Sequence, residues 1–105
     1  MSERNDLLEK ARRMTVRFSL EAQQHISAIH RYIYVRNATA AVAVAARIRY
    51  TAELLGEFPL LGHEGTDPGT MELTVRGLPY IIVYEIQKRK REVVIVAVFH
   101  GAQER

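Results

Sequence analysis

Tyr80-Ile81-Ile82-Val83-Tyr84-Glu85-Ile86 and Val93-Val94-Ile95-Val96-Ala97-Val98-Phe99 decide the fold of this 105-residue chain. Both runs are rich in β-branched and aromatic residues, the composition that fits a pleated, packed surface. Each run is bounded by turn signals. Gly77-Leu78-Pro79 precedes the first, Lys88-Arg89-Lys90-Arg91 separates the two, and His100-Gly101 closes the second. The pair therefore reads as a β-hairpin with strands at about 79–86 and 92–99. Both strands are apolar on both faces, which predicts central positions in a sheet. Just upstream, Met71, Leu73 and Val75 alternate with Glu72, Thr74 and Arg76. That alternation predicts a strand at about 70–76 with one buried and one wet face.

Towards the N-terminus the period changes. Thr15-Val16-Arg17-Phe18 alternates like a short strand, and Ser19 follows as a helix N-cap with Glu21 in the first turn. Ala22, Ile26, Ile29 and Ile33 fall on one face of a helix that ends near Arg36-Asn37. Thr39 is the expected cap of a second helix, from about Ala40 to Leu55, with Val44, Ile48 and Leu55 on one face and Arg47 and Glu53 on the other. Its many alanines favour helix and permit close approach to the first helix. Gly56 and Pro59 stop it, and Pro59 to Gly69 forms a loop dense in Gly and Pro. The predicted class is α+β: an N-terminal strand and a helical hairpin packed on one side of a small, mostly antiparallel sheet, in the order β-α-α-β-β-β. Residues 14–105 make the domain. Residues 1–13, mostly polar or charged, are expected to be a loose extension, with Met14 as an alternative start.

Composition narrows the function. A chain of this length forms one modest core. Fifteen basic and twelve acidic side chains give a net charge of +3, which favours anionic partners without demanding nucleic acid. Cysteine is absent, so disulfides and thiolate metal sites are excluded. That fits a cytoplasmic protein, and no apolar run approaches the length of a membrane span.

Few residues offer chemistry. His25 and His30 stand five apart, about 140° around a helix, and cannot share a ligand face. His63-Glu64 is only a loop pair. No metal and no cofactor is expected. Nor is there a nucleophile motif or a phosphate-cradling loop. Lys88–Arg91 reads as a solvated turn that discourages edge aggregation, with phosphate contact as the alternative. Tyr80 and Tyr84 share a strand face, as core-edge aromatics or as a base-stacking platform. Arg76, on the wet face near the first turn, and His100, just past the last strand, meet at one end of the sheet. An arginine and a histidine there can bind an anion or run acid–base chemistry on RNA.

The ordered set Phe18-Ser19, Glu21-Ala22, Leu54-Leu55, Phe58-Pro59, Gly62, Glu72-Leu73-Thr74-Val75, Leu78-Pro79-Tyr80 to Ile86, and Val98-Phe99-His100-Gly101 to Arg105 resembles the RelE/ParE superfamily of bacterial type II toxins, on its ParE side. The resemblance covers residues 14–105. It implies a toxin of the plasmid-stabilisation kind, encoded beside an antitoxin that neutralises it. RelE-like members cut mRNA on the ribosome; ParE-like members inhibit DNA gyrase. Where nucleases of the YoeB kind carry an arginine, the matching residue here is Ile81, which cannot hold a phosphate. The lysine pair of RelE has no match in residues 63–69, and His63 replaces an arginine common in ParE-like chains.

These points imply a gyrase inhibitor neutralised by a ParD-like antitoxin. The alternatives are an mRNA endonuclease using Arg76 and His100, and a non-toxic relative that only binds antitoxin. Candidate target contacts are Arg76, Tyr84, His100 and Arg105. Candidate antitoxin contacts are Ile33, Val44 and Ile48.

Overall fold

A computed structural model describes residues 13–102. Seven elements follow one another: β1 (Thr15–Phe18), α1 (Leu20–Tyr34), α2 (Ala38–Leu54), β2 (His63–Glu64), β3 (Met71–Thr74), β4 (Tyr80–Gln87) and β5 (Glu92–His100). The strands form one sheet in the order β1-β5-β4-β3-β2. The hairpin strands β4 and β5 are central, as their two-sided apolar character requires. All neighbours are antiparallel except β1 and β5, which run parallel. β2 is a two-residue strand inside the loop expected to be irregular, and it pairs with β3.

Local chemistry sets the helix ends. The Ser19 hydroxyl accepts from the Ala22 amide at 3.0 Å and starts α1. Asn37, not Thr39, caps α2: its side-chain oxygen accepts from the Ala40 amide at 3.0 Å. The connection between the helices is correspondingly tighter than expected. Ala22 and Ile26 of α1 meet Ile48, Ala52 and Leu55 over Ile82, Tyr84, Val93, Ile95 and Val98 of the sheet, all buried. Among the described residues no helix lies on the other face of the sheet.

Two details shape that sheet. Ile82 pairs with Val98 and Val83 with Ala97, but Tyr84 pairs with Ile95. Val96 is thus an extra residue, a bulge that lets both Ile95 and Val98 face the core. Also, β1 stops at Phe18, so β5 has no neighbouring strand beyond Ile95 on that side. The start of α1 supplies the missing partners. The Ser19 hydroxyl donates to the Val96 carbonyl at 3.2 Å, and the His25 Nδ1 accepts from the Val98 amide at 3.1 Å.

One sequence expectation fails on β3. Glu72, placed on the wet face, is buried, at 6% exposure. The loop of residues 65–70 lies over it, and its carboxylate accepts from the Thr66 amide at 3.3 Å.

Candidate functional site

The ends of β3, β4 and β5 gather the polar groups. His100 pairs with Tyr80 across the β4–β5 ladder. Their rings meet edge to face with centroids 5.6 Å apart. The His100 Nδ1 accepts from the Ala102 amide at 3.1 Å, and the Gly101 amide donates to the Pro79 carbonyl at 2.6 Å. The two residues following the strand are therefore folded back onto the β3–β4 turn.

Between this corner and α1 runs a groove of about 550 Å³, lined by His25, Ile29, Tyr32, Tyr80, Phe99 and His100 among others. Burial raises the Tyr80 phenol above its ordinary value, and Tyr32 adds to the shift. The Tyr80 phenol is thus a neutral donor or acceptor at physiological pH, and the His100 ring is a proton-transfer candidate in the groove.

The sequence-predicted residues do not all converge here. His100 lines the groove. Arg76 is exposed in the turn before β4, outside the lining, and its carbonyl accepts from the Arg47 guanidinium. Tyr84, expected to contact a target, has no exposed surface. Its hydroxyl donates to the Pro59 carbonyl at 2.8 Å and accepts from the Gly62 amide at 3.0 Å. It is a buried clamp on the loop after α2, because the alternation of β4 places it with Tyr80 and Ile82 on the core face. Ile48, expected to meet a partner, is likewise fully buried, because the α1–α2 face it shares packs onto the sheet. Val44 is partly buried against the same core, and Ile33 is half-buried near the end of α1. Arg105 lies outside the described residues.

Sequence reasoning missed His25 and Tyr32 as groove residues. Their signal was present: His25, Ile29 and Tyr32 follow the i, i+4, i+7 spacing of one helical face.

A second concavity, about 710 Å³, lies on the sheet face away from the helices. Val83, Val96, Ala97 and Phe99 supply apolar lining, and Asp67, Glu72 and Glu85 supply carboxylates. Among the described residues no Lys or Arg lines it. Ile81, the position that resembles a nuclease arginine, is on this same face, paired with Phe99. Among the described residues no cluster of three or more His, Asp or Glu is arranged to hold a metal ion.

The sequence is similar to known toxins over nearly its whole length. A Sinorhizobium fredii protein, Y4kP, provisionally assigned as a toxin, is 36% identical over 92 residues, spanning 88% of this chain and 93% of that one. The fold is similar to that of a chromosomal ParDE toxin–antitoxin system from P. aeruginosa, with a TM-score of 0.76, 17% identity, and 85% and 97% of the two chains covered. It is also similar to the RelBE2 toxin–antitoxin complex of Mycobacterium tuberculosis, with a TM-score of 0.59, 24% identity, and 87% and 94% covered. Residues 16–105 match the family described as the ParE toxin of the type II toxin–antitoxin system parDE. With helical hairpin, five-stranded sheet and sequence in agreement, the chain belongs to the ParE toxin family.

Proposed function

We propose that this toxin acts by binding a protein, with DNA gyrase as the target, and that a ParD-like antitoxin neutralises it. One observation carries the choice of binding over RNA cleavage. The position resembling a nuclease arginine is Ile81, on the open face of the sheet, where the described ionisable groups lining the concavity are all carboxylates. Such a face repels phosphates, and cationic contact is the main source of nucleic-acid affinity. The test is a supercoiling assay with purified chain and gyrase, antitoxin absent. Inhibition that rises with toxin concentration is expected; unchanged supercoiling across a full titration sinks the gyrase reading.

The antitoxin is expected to cover the free end of the helical hairpin. Tyr34, Val35 and Val42 are exposed there at 55%, 81% and 60%, beside half-buried Ile33 and partly buried Val44. An amphipathic helix or strand would remove this apolar surface from water. The relatives of similar fold that are toxin–antitoxin complexes support such a partner. Val35→Lys is expected to weaken antitoxin binding without changing the thermal midpoint, measured by titration calorimetry and circular dichroism. Unaltered affinity would move the dock elsewhere.

A second reading has one observation in its favour: His100, Tyr80, Tyr32 and His25 line one groove. An endoribonuclease using His100 as its acid–base group, with Arg76 nearby, would lose RNA cleavage and toxicity in His100→Ala. A non-toxic, antitoxin-binding relative would give no growth arrest on induction.

A further inference from the structure

We infer that the open face of the sheet is a docking trough for an extended, cationic segment of a partner protein. The trough lies on the opposite face of the sheet from the helical hairpin and shares only Phe99 with the lining of the groove beside α1. Its floor is formed by cross-strand neighbours: Val83 pairs with Ala97 and Ile81 with Phe99, with bulged Val96 beside them. These residues are only partly buried, and no described helix or strand packs over them.

Charge identifies the occupant. The chain as a whole is basic, at +3, yet among the described residues this concavity is lined by carboxylates and by no Lys or Arg. Among the described residues, the Asp67 and Glu85 carboxylates make neither an ion pair nor a hydrogen bond. Glu72 is committed to the Thr66 amide and holds the rim loop instead. Two unneutralised carboxylates beside an apolar strip suit a segment that alternates Lys or Arg with aliphatic residues. Its aliphatic side chains would cover the valines and Phe99, while its cations would meet Asp67 and Glu85. Nucleic acid is excluded by the sign of the charge, and a small polycation would leave the floor uncovered.

The experiment uses the full chain and a fluorescein-labelled Lys-Val-Lys-Val-Lys-Val-Lys peptide, followed by anisotropy. The wild-type chain is expected to bind this peptide more tightly than Lys-Ser-Lys-Ser-Lys-Ser-Lys, and not to bind the Glu-Val counterpart. Asp67→Lys with Glu85→Lys is expected to weaken binding at least about tenfold. Glu53→Lys, an exposed acid on α2, should leave it unchanged. Amide shifts on titration should concentrate on residues 81–85 and 96–99. Equal affinity in the double variant, shifts on α1 and α2, equal binding of the serine peptide, or full competition by spermidine at matched charge would each overturn the proposal. Because gyrase is absent from this assay, its result stands apart from that of the supercoiling test.

Discussion

Tyr84 shows how one hydroxyl can hold a loop. It donates to Pro59 and accepts from Gly62, so it closes the chain after α2 onto the centre of the sheet. Gly62 has to be glycine for the same reason: a Cβ there would overlap the Glu72 carbonyl and stand 2.7 Å from the Tyr84 hydroxyl. Tyr84→Phe leaves a partly buried donor and acceptor without this partner. The expected loss is about 1–3 kcal/mol by urea denaturation. The same residue gives a pH signature. Burial raises its phenol above 10.0, and the Gly62 hydrogen bond offsets this only in part. The native state therefore holds the proton more tightly than the unfolded chain. The resulting stabilisation is complete below the unfolded value and is lost as pH rises through the folded one. Tyr80 is shifted in the same direction. Stability is expected to fall in alkali above about pH 10, and Tyr84→Phe should flatten that fall without removing it. A pH-independent midpoint from pH 9 to 11 in the wild-type chain would contradict this account.

At the scale of elements, the junction of β1, α1 and β5 does most to fix the helices against the sheet. β1 ends after four residues, and the chain turns into α1 while β5 continues. Ser19 and His25 then bond the backbone of β5 where a strand would have done so. Since an amide can only donate, His25 Nδ1 must be unprotonated and its ring hydrogen must sit on Nε2. His25→Ala is expected to cost about 1–2 kcal/mol. His25→Asn, whose side-chain oxygen can take the place of Nδ1, should recover most of that loss. Equal destabilisation by both, in urea midpoints, would show that ring packing matters and the acceptor does not. This junction also marks the limit of what the sequence revealed. Hairpin, helices and central strands were legible from periodicity and turn residues. The bulge at Val96 was not, because β5 is apolar on both faces and a slip in alternation leaves no trace there. The burial of Glu72 was hidden because alternation along a strand says nothing of how the adjoining 65–70 loop folds back over it. The place of His100 at the end of the last strand was legible, and the structure puts it at the end of β5, lining the groove beside α1. Tyr84 and Ile48 were misplaced because periodicity reports a face without saying what covers it.

The distribution of charge over the whole molecule separates the functional readings. The acidic face of the sheet and the cationic Lys88–Arg91 turn lie on different parts of the surface, and the turn is exposed throughout. A nuclease needs cations around its catalytic group, whereas among the described residues the groove containing His100 has aliphatic, aromatic and imidazole lining and no Lys or Arg. Any RNA affinity should therefore come from the turn alone. Four cations displacing counterions from a single strand give a slope of log K against log salt no steeper than about −3. The slope should collapse towards zero when Lys88 and Arg89 are both changed to Glu, and His100→Ala should leave it unchanged. Filter binding of a labelled oligoribonucleotide from 50 to 300 mM salt would measure both, those concentrations being set on the order of common practice for such slopes. A steeper slope, or one that depends on Arg76 or His100, would mean that phosphates reach the corner between β4 and α1. The nuclease reading would then displace gyrase binding, because the strand-end histidine would be in contact with the backbone it has to cleave.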